Sequence, residues 1–161
     1  MKKVILNPAG MLVSGLMLGI LSRLLDIYTT NLGNVFSQLA IWILFGVLIS
    51  VYSSTKRTAM CNILPFCIGM VLTYYGTAIM TDGVYSKTYL VGWTLFALCS
   101  PMFAYFTWIS KGRGIFPQMI RVGILLVSVL SSVILFDGFR IYDWIIDGVL
   151  IYFLYFKRME R

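Results

Sequence analysis

Ala59 to Met80 reads AMCNILPFCIGMVLTYYGTAIM, twenty-two residues without a single charge. A helix that crosses the hydrocarbon core of a bilayer needs about 20 such residues. The run is continuous and does not alternate, so it does not fit the strand of a membrane barrel. Five further runs of similar character surround it, over about 8–25, 34–52, 88–109, 117–136 and 141–156. Together the six use nearly all of the 161 residues. The predicted fold is therefore all-α: one polytopic bundle of six transmembrane helices, spanning residues 1–161 as a single domain, with no separate soluble domain.

Composition agrees. Hydrophobic residues make up 60% of the chain and charged residues 12%, against roughly 45–50% and about 25% in soluble domains. Short polar gaps punctuate the runs, such as Ser53-Ser54-Thr55-Lys56-Arg57 and Ser110-Lys111-Gly112-Arg113-Gly114. Asn7-Pro8 reads as a cap followed by proline at the first helical position. Pro101 lies inside the fourth run and predicts a kink near residue 100, its freed carbonyl absorbed by a neighbouring helix. The basic start, Lys2 and Lys3, lacks a small-x-small cleavage site after the apolar stretch, which argues against a cleaved signal peptide.

The charges choose an orientation. With the N-terminus in the cytoplasm, Lys2, Lys3, Lys56, Arg57, Lys111, Arg113, Arg121, Lys157, Arg158 and Arg161 fall inside. Only Arg23, Lys87 and Arg140 fall outside. Ten against three is a strong positive-inside bias, so both termini are expected on the cytoplasmic side. The net charge of +7 reads as topology and attraction to the lipid bilayer, not as nucleic-acid binding. Asp26, Asp82, Asp137, Asp143 and Asp147 fall in the outer half, and Glu160 alone inside.

Several chemistries drop out. The chain has no histidine, which removes Ser-His and Cys-His nucleophiles and imidazole metal sites. Cys61, Cys67 and Cys99 match no zinc spacing and read as buried small hydrophobes. No glycine-rich phosphate loop is present. No catalytic residue, cofactor or metal is expected, and the protein is not expected to be an enzyme. The stretch from Asp137-Gly138 to Asp147-Gly148 lacks the additional acids that an aspartate-rich phosphotransferase motif requires.

What remains is polar side chains inside apolar runs, each of which needs a partner or a wet cavity. Asn34, Ser37 and Gln38 open the second helix. Thr73, Tyr74, Tyr75 and Thr77 close the third, and Tyr89, Trp93 and Thr94 open the fourth. Ser128, Ser131 and Ser132 close the fifth, and Asp143 and Asp147 open the sixth. All map to outer halves. The two aspartates are four apart and share a helical face. Asp147, Asp143, Trp93, Tyr74 and Gln38 are the candidate substrate-binding residues of an outward pocket for a cationic or flat heterocyclic solute. The structural alternative is an ion pair of Arg140 with Asp143, and Asp147 bonded to a neighbouring helix. On the first helix Gly15 and Gly19 form a small-x-x-x-small pair suited to close packing, within the bundle or against a partner helix. Arg23 is expected to pair with Asp26 or with an acid on the sixth helix.

This outline resembles the substrate-binding S components of energy-coupling-factor vitamin transporters, small bacterial six-helix bundles with both termini inside. Where that family carries Ala-x-x-x-Ala on its first helix, this sequence has Ala9, Gly10, Ser14, Gly15 and Gly19. The resemblance implies capture of a small-molecule solute at the outer side of the cytoplasmic membrane. It also implies a transmembrane coupling subunit with ATPases as partner. The alternative function is a non-transporting accessory or immunity-type membrane protein, with packing surfaces and no pocket.

Overall fold

The computed structural model describes residues 6–29, 33, 35–36, 38–81, 86–135 and 140–156. Lys2, Lys3, Asn34, Ser37, Asp82, Tyr85, Asp137, Lys157, Arg158, Glu160 and Arg161 lie outside the described residues. The principal elements are six helices: α1 Pro8–Tyr28, α2 Leu39–Tyr52, α3 Lys56–Met80, α4 Lys87–Ile109, α5 Ile115–Leu135 and α6 Ile141–Ile151. A π-helical turn, Tyr152–Phe156, prolongs α6. No strand occurs among the described residues.

Four helices, α1, α3, α4 and α5, are long and apolar enough to cross a membrane. Their outward faces agree: Met17, Leu72, Leu98 and Met119 are 60–68% exposed. A water-soluble protein does not display apolar side chains around its whole girth; a protein solvated by lipid does.

Local chemistry sets the helix ends. At α1 the Asn7 side chain accepts the Gly10 N–H at 2.7 Å, and Pro8 follows at the first position. At α3 the Thr55 hydroxyl accepts the Thr58 N–H at 3.1 Å, which starts the helix at Lys56 rather than Ala59. Two runs are shorter as regular helices than the sequence suggests. Gln38 is extended, and α2 has 14 residues from Leu39. The Trp42 indole donates to the Phe36 carbonyl at 2.8 Å and holds the chain across that break. α6 has 11 residues before the π-helical turn. In α4 the proline is accommodated inside the helix. Pro101 has no N–H for the Ala97 carbonyl, and the Ser100 hydroxyl donates to that oxygen at 2.7 Å.

The most extensive interface is α1 on α3, followed by α3 on α4. Glycine makes the first possible. A Cβ on Gly15 would overlap the Phe66 carbonyl, and one on Gly19 would overlap Thr73 and the Met70 carbonyl. From the other side, a Cβ on Gly69 would stand 2.9 Å from the Leu12 oxygen. Backbones this close gain dispersion contacts and interhelical hydrogen bonds; the Thr73 hydroxyl donates to the Leu16 carbonyl at 2.8 Å. α2 touches α3, α4, α5 and α6. One apolar cluster joins α1 to α4 around Trp42, Phe66 and Met70. A second joins α2 to α6 around Leu44, Val47, Ile146 and Leu150. Cys67 is buried in the first cluster, but Cys61 and Cys99 are exposed, contrary to the expectation that all three are buried.

Candidate functional site

α5 ends and α6 begins at the same end of the bundle, so their polar residues meet in antiparallel register. Ser128 and Ser132 are one helical turn apart, as are Asp143 and Asp147. At 1.5 Å per residue, Ser128 and Asp147 both lie about 10 Å from that end of their helices. The Ser128 hydroxyl donates to Asp147 Oδ1 at 2.6 Å, and the Ser132 hydroxyl to Asp143 Oδ1 at 3.1 Å. The second Asp143 oxygen accepts the Arg140 backbone N–H at 2.8 Å, which caps the first turn of α6. Asp143 is thus fully buried and bonded through both oxygens. It takes the amide of Arg140; the Arg140 guanidinium donates instead to the Tyr142 hydroxyl at 2.7 Å.

Asp147 differs. It is 7% exposed, and its Oδ2 is buried with no hydrogen-bond donor among the described residues. An unpaired carboxylate oxygen in an apolar interior is costly, so a further donor at this oxygen would be stabilising.

Gln38, wholly buried at the start of α2, joins this seam. Its Nε2 donates to the Tyr142 hydroxyl at 3.5 Å, while its Oε1 also lacks a donor among the described residues. Gln38, Tyr142, Arg140, Asp143, Ser132, Ser128 and Asp147 form a connected polar path through α2, α5 and α6, in which the single Ser132 hydroxyl hydrogen lies between Asp143 Oδ1 at 3.1 Å and the more distant Ser128 carbonyl at 3.4 Å.

Tyr74 and Trp93 lie elsewhere. Tyr74 belongs to the α1–α3 interface, where its hydroxyl donates to Asp26 Oδ2 at 3.2 Å. The Arg23 guanidinium binds the same oxygen at 2.7 Å and lies 5.6 Å from the Tyr74 ring centre. Arg23 therefore pairs within α1. Trp93 stands edge-on to Phe96 at 5.9 Å and packs on the cluster of α1 to α4. The five candidate residues thus separate: Gln38, Asp143 and Asp147 share one path, and Tyr74 and Trp93 stand apart from it. Gly15 and Gly19 face α3 of the same chain. Ser128 and Ser132 complete the site. Their four-residue spacing, matched to that of the aspartates across a short connection, is the sequence signal that points to them.

No group of three or more Cys, Asp or Glu side chains suited to a metal ion occurs among the described residues. Around Asp147 itself the seam offers carboxylate and serine hydroxyl oxygens, which suit proton, ammonium or hard-cation chemistry.

Helices of this length and polarity, closed around a buried acid, define a helical membrane protein with an ionisable seam between two of its helices. The chain belongs to the family of unknown function DUF6518, whose profile matches residues 1–149. No curated protein and no solved structure matches it.

Proposed function

We propose that the protein is a multi-pass protein of the bacterial cytoplasmic membrane that binds a small solute at its outer side. It crosses six times with both termini inside and works as a transporter component similar to an S component. The observation that carries this reading is Asp147: a buried carboxyl group with one oxygen bonded to Ser128 and the other without a donor. A solute with an ammonium group, or another strong donor, supplies what that oxygen lacks. The site is narrower than the sequence suggests and centres on Asp147, Ser128 and Gln38. Asp143 supports it by fixing the first turn of α6.

In this proposal a coupling subunit with ATPases docks on the outward stripe of α1, where Val13 and Met17 are 54% and 68% exposed, because α3 covers Gly15 and Gly19. The non-transporting alternative draws support from Asp143, whose bonds all serve the helix ends and the α5–α6 contact.

Native mass spectrometry of purified protein separates the two. A small cationic molecule retained by the natural chain and lost from Asp147→Asn supports solute binding. An equally folded variant that retains the same molecule, or a natural chain that retains none after enrichment with membrane extract, overturns it.

A further inference from the structure

A cavity of about 340 Å³ lies between α2, α3, α4 and α5, with none of the aspartate-seam residues among its walls. Trp42, Gly46, Cys67, Ser100, Phe103 and Gly123 are among its walls. Two of its hydroxyls are turned onto their own helices: Ser50 donates to the Gly46 carbonyl and Ser100 to the Ala97 carbonyl, both at 2.7 Å. What faces the cavity is therefore almost wholly apolar. An apolar cavity of about 150 Å³ already stays dry and takes up apolar guests. Empty, a space of more than twice that size leaves its walls without dispersion partners. Such walls suit a hydrocarbon group, which sets the cavity apart from the solute proposed for Asp147.

Two observations identify the guest. First, the cavity opens sideways. Phe103, Phe106 and Val127 line it and are still 44%, 40% and 54% exposed. That opening runs along the lipid-facing side of α4 and α5, from the last turns of α4 to the middle of α5, a depth at which acyl chains run. Second, the cavity reaches Thr107 and Ile120, close to the α4–α5 connection. Lys111, Arg113 and Arg121 lie on or beside that connection, and Lys56 and Arg57 begin α3 at the same end. The described acids, Asp26, Asp143 and Asp147, are all toward the opposite end. Arg121 holds the connection in shape by donating to the Ser110 and Gly112 carbonyls at 2.8 and 2.9 Å. Arg113 beside it is exposed. A basic rim at the end of an apolar slot complements an anionic headgroup joined to a hydrocarbon chain.

We propose that this cavity holds one acyl chain of an anionic phospholipid, with the headgroup against Arg113 on the α4–α5 connection. The proposal is independent of the solute reading and survives its failure. The test titrates the purified full chain with phosphatidylglycerol or phosphatidylcholine of identical chains, read by native mass spectrometry. One phosphatidylglycerol is expected to remain bound, with a preference over phosphatidylcholine of roughly five-fold for each basic residue engaged. Gly123→Leu fills the slot, since a Cβ there meets nothing within 4 Å. It should remove retention of both lipids and leave lipid-free thermal stability unchanged or raised. Gly46→Val fills it from the opposite wall, where a Cβ meets only Ile63 at 3.8 Å, and serves if the first variant does not fold. Arg113→Gln should lower retention of phosphatidylglycerol toward that of phosphatidylcholine. Undiminished lipid retention by a folded, slot-filled variant overturns the proposal, and so does equal retention of the two lipids by the natural chain.

Discussion

Ser128 on α5 donates its hydroxyl hydrogen to Asp147 on α6 at 2.6 Å, and one turn away Ser132 does the same for Asp143 at 3.1 Å. The two bonds hold α5 and α6 in register. They also divide the aspartates by role, because Asp143 uses its second oxygen to cap α6 and Asp147 leaves its second oxygen unbonded among the described residues.

Ser128→Ala should therefore destabilise the protein by about 1–3 kcal/mol, the penalty of leaving a buried acceptor without its donor. Thermal unfolding in detergent measures it. The double variant Ser128→Ala/Asp147→Leu should recover most of that loss, because replacing both partners with apolar groups removes the unpaired group altogether. A double variant as unstable as the single one shows that Asp147 has a further stabilising partner.

The α1–α3 interface predicts a contrast between glycines. Gly19→Ala sets a methyl group against the Met70 carbonyl and the Thr73 hydroxyl, so α1 must move away from α3. We expect a loss of about 1–3 kcal/mol. Gly92→Ala on α4 meets nothing within 4 Å and should be neutral or stabilising. Equal effects at the two positions would mean that α1 and α3 do not pack backbone to backbone.

Hydropathy made the six apolar runs legible, because one residue scale governs all of them. The ends were less so. Thr55 starts α3 one turn before its apolar run, and α2 starts only after Gln38, although the sequence reading places the polar residues Asn34, Ser37 and Gln38 in the helix. The candidate site was legible as spacing and illegible as contact. Asp143 and Asp147 on one face of α6, and serines on α5, can be read directly from the sequence. That Tyr74 turns to Arg23 and Asp26 depends on which helices are neighbours. α1 is bound to α3 through glycines, and α2 stands between that pair and α6. A one-dimensional reading places all these groups at one depth and cannot separate them around the bundle.

The orientation is checked by chemical labelling. Ser54 and Ser86 are both exposed and lie at opposite ends of α3. With Cys61, Cys67 and Cys99 replaced by alanine, a cysteine at Ser86 should react with an impermeant thiol reagent in intact cells. A cysteine at Ser54 should react only after the membrane is opened. The reverse pattern would place the aspartate seam at the cytoplasmic face and remove the proposed capture of an external solute.

The last prediction concerns Ser100 and Pro101. Proline inside a helix deprives the carbonyl four residues earlier of its N–H, here that of Ala97. The Ser100 hydroxyl supplies the missing donor at 2.7 Å, and Ser100 is buried beside the apolar cavity. Serine hydroxyls commonly fold back on their own helix, but here the acceptor is the one that loses its usual backbone N–H to the proline. Ser100→Ala should thus cost about 1–3 kcal/mol, as expected for orphaning a buried acceptor. In a Pro101→Ala background the Ala97 carbonyl regains a backbone donor, and the same serine substitution should cost well under 1 kcal/mol. A double-mutant cycle in thermal unfolding reads the difference as a coupling between adjacent residues. A coupling near zero would show that Ser100 does not serve the carbonyl freed by the proline, and that α4 tolerates Pro101 by another route.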